Sequence, residues 1–344
     1  MRALSYKKLK NNAVKCQICS HYCFIAPNKR GVCGVKENKG GNLIAVNYGK
    51  VISSHIDPIE KKPLFHFLPT SLSYSIATVG CNFRCLFCQN ADISQASKQG
   101  LFFNSPVIPG KDIEPEEVVK SAMASGCKSI AYTYTEPTIF VEFALAVMKI
   151  ARKKGLKNVW VSNGYMSPET RSAILPYLDA INIDLKSFNN EFYRRICGAQ
   201  LEPILDNLIF FHQNKVWLEV TTLIIPQHND SSEELKKIAN FIKNKLSSAT
   251  PWHVTAFYPA FKMSDHSPTP PSTLQRAYQI GKDVGLKYVY TGNIPGLEGE
   301  NTYCPVCQAV VVKRLAFFSQ IYFKEENKKA FCHNCGSGLD FILS

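Results

Sequence analysis

Short apolar runs alternate with amphipathic stretches through the middle of the chain. The runs are rich in β-branched and aromatic residues and are short enough to be strands. They cover residues 74–79, 129–134, 158–162, 180–185, 216–225, 254–258 and 288–290. The stretches between them predict helices over 115–125, 138–154, 168–176, 203–213, 231–245 and 272–284. Strands that alternate with helices indicate a parallel sheet of the α/β class, either doubly wound or curved into a barrel.

A five-residue repeat marks three places where a predicted helix gives way to a strand. Gly126, Gly155 and Gly285 each begin a segment that reads Gly, any residue, Lys, any residue, aliphatic. A glycine at this place fits the left-handed conformation that commonly closes a helix. In a barrel built from such units, the loops after the strands carry the functional side chains. Polar residues that follow the predicted strands are therefore the first candidates for a site.

Composition narrows the class of protein. The chain has 344 residues, with 40 Lys plus Arg against 27 Asp plus Glu, and a formal net charge of +13. Only 19% of residues are charged and 45% are hydrophobic, which excludes a disordered polyelectrolyte. No segment reaches the roughly 18 uncharged apolar residues of a membrane helix, and the first residues lack the apolar core of a signal peptide. We expect a cytoplasmic protein that makes no contact with a membrane.

The 13 cysteines fall into groups. An odd number of cysteines in a long chain argues against a disulfide scaffold and favours metal ligands. Four lie within residues 16–33, three within 81–88 and four within 304–335, while Cys127 and Cys197 stand apart and are expected to be buried thiols. We therefore predict three units: an N-terminal four-cysteine metal module (1–62), a core barrel (63–299) and a C-terminal module (300–344).

The central group has the spacing Cys81-x3-Cys85-x2-Cys88 and follows the first predicted core strand. Three thiolates on one short loop can hold three irons of a cubane cluster and leave the fourth iron open for another ligand. A structural zinc ion with a remote fourth ligand is the alternative.

This motif, with the aromatic residue Phe87 before its last cysteine, resembles the signature of radical S-adenosylmethionine (SAM) enzymes. The segment 134–137 is similar to the Gly-Gly-Glu segment of that superfamily, and the resemblance implies that Glu136 binds the ammonium group of SAM. Asp184 and Lys186 resemble the Asp-x-Lys segment of the pyruvate formate-lyase activating enzymes. The resemblance implies that these two residues hold SAM or the substrate.

Further polar residues are expected at the carboxyl ends of the strands, where they would contact SAM or substrate. Together with the aromatic Phe87 of the cysteine motif, the full set of candidates for contact with SAM or substrate is Phe87, Glu136, Asn163, Asp184, Lys186, Thr221 and His253. Each has a structural alternative: Asp184 and Lys186 as a surface ion pair, Asn163 as part of a turn, and Glu219 and His253 as paired polar residues inside the barrel. No residue is assigned as catalytic.

Several segments bring the resemblance closer to one group, the radical SAM component of the AmmeMemoRadiSam system. These segments are 57–64, 66–69, 88–90, 251–253 and 257–259. The resemblance implies a partial (β/α)6-type barrel, a [4Fe–4S] cluster at Cys81, Cys85 and Cys88, and SAM as a second cofactor. It also implies Memo-like and AMMECR-like partner proteins, and an electron donor such as flavodoxin or ferredoxin.

The terminal cysteines form two further candidate metal sites. Cys304, Cys307, Cys332 and Cys335 form two knuckles with plausible hairpin strands between them, a pattern typical of a zinc ribbon; rubredoxin-like iron is the alternative. Cys16, Cys19, Cys23 and Cys33 suit either zinc, which we prefer, or an auxiliary iron–sulfur cluster.

The expected reaction is that of an oxidoreductase of the radical SAM type. By resemblance, SAM would be cleaved reductively to a 5′-deoxyadenosyl radical, which would remove hydrogen from a peptide, protein or RNA. Activation of a glycyl radical enzyme is the first alternative. A basic zinc-ribbon protein that binds nucleic acid without catalysis is the second, but Lys and Arg are dispersed along the chain.

Overall fold

The fold is known from a computed structural model that describes residues 1–98, 105 and 107–344. The strands, numbered in chain order, are β1 Tyr6–Lys8, β2 Val14–Cys16, β3 Phe24–Ile25, β4 Lys36–Lys39, β5 Asn42–Ala45, β6 Lys50–Pro58, β7 Leu72–Thr78, β8 Lys111–Asp112, β9 Ser129–Tyr132, β10 Lys157–Ser162, β11 Ala180–Asp184, β12 Trp217–Ile224, β13 Trp252–Ala256, β14 Val289–Gly292, β15 Thr302–Tyr303, β16 Val310–Leu315, β17 Phe318–Ile321, β18 Lys324–Glu326, β19 Lys329–Phe331 and β20 Gly338–Leu339. The α-helices are α1 Ala91–Ser94, α2 Pro115–Ala124, α3 Val141–Lys153, α4 Pro168–Ile174, α5 Asn190–Phe192, α6 Glu202–Gln213, α7 Ser232–Phe241 and α8 Pro271–Val284.

A large mixed sheet forms the centre of the molecule, with the strand order β14-β13-β12-β11-β10-β9-β7-β6-β8. β7 and β9 to β14 run parallel, and β6 and β8 are antiparallel additions at one side. All seven predicted core strands are present, and helices lie between them in the chain. The α/β class and the partial barrel are thus confirmed.

Local sequence explains where the helices begin and end. The first long helix, α2, starts at Pro115 behind a capping box in which the backbone N–H of Glu114 donates to Glu117 Oε2 at 2.9 Å. The repeated glycines adopt the predicted left-handed backbone, with φ of +67° at Gly126, +78° at Gly155 and +96° at Gly285. Each of these glycines therefore turns the chain from a helix into the next strand.

The segment between β6 and β7 packs against the core sheet. Its side chains Ile59, Leu64, Phe67 and Leu68 form a buried cluster with residues of β9, β10 and β11. Asn182 of β11 donates to the carbonyl of Pro63 at 2.8 Å. Because β6 pairs with β7 in the central sheet, residues 50–62 lie with the core and not, as the sequence suggested, with the N-terminal module.

The two cysteine-rich ends form small β structures. Near the N-terminus, β1, β2 and β3 make one sheet, and β4 pairs with β5. In the C-terminal module, β15, β16 and β17 make one sheet, in which β16 and β17 form the predicted hairpin, and β18, β19 and β20 make another. Phe67 forms a β-bridge with Ile342, so the C-terminal module adjoins the segment that packs on the sheet.

Within the described ranges, no helix has both the length and the apolar character that crossing a membrane requires.

Candidate functional site

The three-cysteine loop leaves the sheet directly after β7. Gly80 turns the chain with a φ of +103°, a conformation that favours glycine. Cys81 and Cys85 are buried, and Cys88 is half-buried. The backbone N–H groups of Arg84 and Leu86 donate to the carbonyls of Cys197 and Ile196 at 2.9 and 3.0 Å. These bonds hold the loop against the turn that follows α5.

Burial keeps the three thiols protonated when no metal is bound. It raises the pKa of Cys81 and Cys88. A hydrogen bond with Cys197 is the main reason why the pKa of Cys85 is raised, followed by burial. Cys197, which the sequence suggested to be an ordinary buried thiol, therefore touches the loop. Since thiolates are the metal ligands, binding of metal must displace these protons.

Asn163 joins the loop to the sheet. It follows β10, and its side-chain amide donates to Asn82 Oδ1 at 2.7 Å. Its backbone N–H donates to Glu136 Oε2 at 2.8 Å. The ends of β9 and β10 and the three-cysteine loop are thus linked through one residue.

Glu136 is enclosed by protein donors. Its other oxygen, Oε1, accepts from Thr138 N at 3.0 Å, from Thr138 Oγ1 at 2.6 Å and from Ser162 Oγ at 2.8 Å. Burial raises the pKa of Glu136, although these bonds act in the opposite direction. With four donors on a fully buried carboxylate, Glu136 orders the strand ends in this structure, whereas the sequence suggested a direct contact with an ammonium group.

Asp184 and Lys186 form an ion pair of 2.8 Å at the end of β11. The ammonium of Lys186 lies 5.7 Å from the centre of the Phe87 ring. Burial acts to lower the pKa of Lys186, but the charge of Asp184 and the hydrogen bond to it outweigh burial and raise that pKa. The pair is therefore not an ordinary surface ion pair, because its cation is shielded and faces the cysteine loop.

Two buried polar atoms near this edge lack a hydrogen-bond partner within the part of the chain that the structure describes. They are Asn82 Nδ2 and Thr221 Oγ1. Thr221 is the strand partner of Asp184, and Asn82 follows Cys81 directly. An unpaired buried polar group costs about 1–3 kcal/mol, which a polar ligand would recover. Three thiols, one ammonium and these free polar atoms fit a metal cluster with a polar cofactor beside it.

Phe87 serves mainly as packing in this structure. It is buried, and its ring centre lies 6.3 Å from that of Phe192. This contact secures the end of the cysteine loop against the residues after β11.

His253 does not lie at the carboxyl end of its strand, so that prediction is wrong. It is the second residue of β13, and its Nε2 lies 2.6 Å from Glu219 Oε2. Glu219 also accepts from the backbone N–H groups of Phe65 and His66 at 3.0 and 2.9 Å. Both side chains are therefore satisfied inside the barrel, which is the structural alternative for them.

A buried charge cluster near the end of β9 has no counterpart in the sequence predictions. Lys62 Nζ lies 2.6 Å from Asp57 Oδ2 and 3.3 Å from the hydroxyl of Tyr134, which also bonds to Asp57. Burial lowers the pKa of Lys62 to about 8, although Asp57 acts to raise it. Tyr134 in turn accepts from Asn90 through its carbonyl at 2.8 Å, so this cluster reaches the segment behind the cysteine loop.

The C-terminal cysteines are arranged for a single ion. Cys304 Sγ lies 3.7 Å from Cys335 Sγ, and Cys307 Sγ lies 3.6 Å from Cys332 Sγ. Hydrogen bonds from Ser337 and backbone N–H groups outweigh burial and lower the pKa of Cys304 to about 6. Across the described residues, these four are the one group of three or more Cys, His, Asp or Glu whose ligand atoms all lie within 4.8 Å of one another.

Comparisons with known proteins cover the part of the chain that carries these residues. The model of the radical SAM superfamily matches residues 75–242. A protein of Methanocaldococcus jannaschii, itself described as uncharacterized, is 46% identical over 99% of both chains. The pyruvate formate-lyase-activating enzyme of Clostridium pasteurianum is 25% identical over 48% of this chain and 67% of its own.

Among solved structures, SuiB of Streptococcus suis bound to the precursor peptide SuiA has the same general fold. It matches with a TM-score of 0.51 and 12% identity, over 68% of this chain and 51% of that one. The family match spans the strands β7 to β12, which carry the three-cysteine loop, Glu136, Asn163 and the Asp184–Lys186 pair. The chain therefore contains a domain that matches the radical SAM superfamily over residues 75–242, just under half of its length.

Proposed function

We propose that this protein cleaves SAM reductively at a [4Fe–4S] cluster held by Cys81, Cys85 and Cys88. The match to the superfamily implies SAM and an iron–sulfur cluster. When bound, they supply one-electron cleavage of SAM to methionine and a 5′-deoxyadenosyl radical, which removes hydrogen from a substrate. The observation that carries the proposal is the buried three-cysteine loop, which Asn163 connects to the strand ends.

The chain's own residues position the cofactor and control charge. Lys186 places a shielded ammonium beside the loop, where it balances thiolate charge and attracts a carboxylate. Asn163 and Glu136 fix the geometry of the loop and of two strand ends. Burial of Cys81 and Cys85 keeps water away from the reacting centre.

A macromolecular substrate is the second part of the proposal. A relative named as the activating enzyme of pyruvate formate-lyase acts on a protein, and this supports a protein or peptide substrate, with RNA as the other macromolecule to test. The test adds fractions of cell extract to the reconstituted protein and measures 5′-deoxyadenosine above the background without extract. We expect a stimulating fraction that protease or ribonuclease destroys. Stimulation by the small-molecule filtrate alone would contradict a macromolecular substrate.

Activation of a glycyl radical enzyme is a second candidate function, favoured by the Asp184–Lys186 pair and by the activating-enzyme relatives. It requires a partner protein that acquires a glycyl radical during the reaction. Electron paramagnetic resonance (EPR) of the stimulating fraction tests this function. A doublet from a backbone glycyl radical supports the activase, and the absence of that doublet from a stimulated reaction rejects it.

The electron donor is proposed to be an acidic protein such as flavodoxin or ferredoxin. A cavity of about 500 Å³ beside the cysteine loop is lined by Arg84, Arg194 and Arg195, with Glu191 as its one acidic residue. Such a positive surface favours an acidic partner. Replacing Arg194 and Arg195 by Glu should slow reduction by flavodoxin but not by dithionite, while Lys236→Glu with Lys237→Glu should change neither.

A metal assignment and a partner assignment extend this proposal. We assign zinc to the C-terminal cysteines, because their sulfur spacing suits one tetrahedral ion. Memo-like and AMMECR-like proteins are proposed as partners on the basis of the segments at 57–64 and 251–253. Co-elution of the purified chain with either protein on a sizing column tests this association.

A further inference from the structure

The four N-terminal cysteines lie against the three-cysteine loop. The carbonyl of Cys33 accepts from Ser97 Oγ at 3.0 Å, and it would lie 2.9 Å from a Cβ placed on Gly80, the residue before Cys81. On the other side, His21 Nε2 lies 2.9 Å from the carbonyl of Asn82. The N-terminal module thus contacts the residues on both sides of Cys81.

The four N-terminal thiols belong to one site. Cys16 and Cys23 sit on paired strands, where Cys16 N donates to the carbonyl of Cys23 at 2.9 Å. Cys23 Sγ would lie 3.5 Å from a Cβ placed on Gly31, which begins the turn that holds Cys33 and closes with a bond from Gly34 N to the carbonyl of Gly31 at 2.9 Å. A second turn, in which Tyr22 N donates to the carbonyl of Cys19 at 3.1 Å, leads from Cys19 to Cys23.

Sulfur spacing separates this group from the C-terminal one. Four thiolates on one zinc ion lie about 3.8 Å apart, as follows from a tetrahedron with Zn–S bonds of about 2.3 Å. The C-terminal pairs, at 3.7 and 3.6 Å, have that spacing. The structure describes all four N-terminal cysteines, and no three of their sulfur atoms lie within 4.8 Å of one another. The three sulfur atoms of Cys81, Cys85 and Cys88, which are also described, do not all lie within 4.8 Å of one another either. In a cubane each thiolate binds a different iron, so the sulfurs stand farther apart than around one ion.

We propose that Cys16, Cys19, Cys23 and Cys33 bind a cubane iron–sulfur cluster instead of zinc, and that this cluster relays electrons to the one at Cys81, Cys85 and Cys88. The metal assignment does not depend on the proposed radical SAM function, whereas the relay rests on it. In the relay, one electron from a flavodoxin or ferredoxin reduces the N-terminal cluster from the 2+ to the 1+ state. The N-terminal cluster returns to 2+ when it reduces the second cluster by the same single electron, and no proton is transferred.

The module has the two faces that a relay needs. Cys23 is half-buried at the solvent side, next to Phe24 and near Val32, which are 70% and 51% exposed. Cys19 and Cys33 are buried on the side of the barrel, where Cys19 bridges to Met166 and Cys33 approaches Gly80. Val32 and Arg84 line one cavity, and Arg84 also lines the basic cavity proposed for the electron donor. An electron can therefore enter at the Cys23 side, next to that donor, and leave at the Cys33 side.

The metal assignment is tested by counting metals in variants reconstituted anaerobically with iron, sulfide and zinc all present. The protein with Cys81, Cys85 and Cys88 all replaced by Ala has no radical SAM site and should still bind about four irons and one zinc. Two zinc ions and no iron in that variant would overturn the proposal. This result is independent of SAM cleavage, so it does not depend on the proposed function.

A second variant tests the metal assignment in case the triple variant fails to fold. Cys16→Ala with Cys19→Ala should reduce the iron of the full protein from about eight to about four atoms. The matched control, Cys127→Ala, removes a buried thiol outside the three groups and should keep about eight. An N-terminal variant with the wild-type iron count would overturn the assignment.

The relay is tested by EPR of the reduced protein. Two reduced clusters in contacting modules should couple, so the wild-type spectrum should be broader than the spectra of the N-terminal and triple variants. A wild-type spectrum equal to the sum of the two variant spectra would overturn the relay and leave the metal count unaffected.

Discussion

The side-chain amide of Asn163 donates to Asn82 Oδ1 at 2.7 Å, and this bond ties the end of β10 to the cysteine loop. The backbone N–H of Asn163 also donates to Glu136 Oε2. One residue thereby fixes the position of Cys81 relative to two strand ends. The loop can then keep its geometry before any cofactor binds, which lowers the cost of binding.

Asn163→Ala should weaken SAM binding to the reconstituted protein. The change removes the donor to Asn82 and leaves a buried acceptor unpaired, at a cost of about 1–3 kcal/mol, equal to roughly 5- to 150-fold in affinity. Equilibrium dialysis with labelled SAM measures this. Asn214→Ala, on the exposed end of α6, is the control and should bind normally. An affinity of the Asn163 variant within twofold of the control would contradict the role given to Asn163.

Lys186→Met should leave the iron content unchanged but lower the reduction potential of the cluster. Without the ammonium, the negative charges of Asp184 and the cluster thiolates are no longer balanced, so adding an electron becomes less favourable. Potentiometric EPR titration measures the potential, and Lys186→Arg should restore most of it. The exposed control Lys237→Met should behave as wild type. Equal potentials for both Met variants would reject the electrostatic role of Lys186.

The C-terminal cysteines should hold one zinc ion that stabilises the module against the barrel. Arg314 Nη2 donates to the carbonyl of Phe65 at 3.0 Å, and His66 Nδ1 lies 2.6 Å from the carbonyl of Asp340. Cys307→Ala should therefore lose zinc and make the segment 59–70 sensitive to proteases, which mass spectrometry of the fragments would show. Cys127→Ala should do neither. Loss of zinc with an unchanged cleavage pattern would mean that the module does not protect that segment.

His66 should make the protein less stable in acid. Burial lowers the pKa of His66 to about 4 from a usual value of 6.5, although Glu219 acts to raise it. Between pH 6.5 and 4, His66 therefore takes up a proton in the unfolded chain but not in the folded chain. The free energy of unfolding falls as the pH falls through this window. The loss attributable to His66 is at most about 3 kcal/mol.

The variant that isolates this effect is His66→Gln, which keeps a polar side chain but cannot take up the proton. Urea unfolding at pH 7 and pH 4.5 should show a smaller acid-dependent loss of stability in the variant than in wild type. The exposed control His55→Gln should retain the full wild-type loss. Equal losses in wild type and His66→Gln would show that this histidine is not the source.

Local patterns predicted the seven parallel strands of the central sheet and the long helices between them, because each of these strands contains a short apolar run and each of these helices is a continuous amphipathic stretch. The three-cysteine loop, Asn163 and the Asp184–Lys186 pair were also predictable, since each follows its strand closely in the chain. His253 was misplaced because it precedes the apolar run at 254–258 and lies at the amino end of β13, which starts at Trp252, two residues before the predicted strand.

The contacts that sequence reasoning missed join distant segments. Lys62 meets Tyr134 across 72 positions, and Cys197 meets the loop at Arg84 through the backbone. Such pairings depend on how the segment after β6 and the turn after α5 pack on the sheet. Neither hydrophobic periodicity nor motif spacing contains that information, although the charges at Asp57, Lys61 and Lys62, directly before an apolar segment, are consistent with a buried ion pair.

The central claim is that Cys81, Cys85 and Cys88 support reductive cleavage of SAM. The most direct measurement is the 5′-deoxyadenosine formed when the anaerobically reconstituted protein is mixed with SAM and dithionite, compared with Cys81→Ala and with the control Cys127→Ala. The account predicts product from wild type and the control, and at most a trace from Cys81→Ala. Equal amounts of 5′-deoxyadenosine from wild type and Cys81→Ala would contradict it.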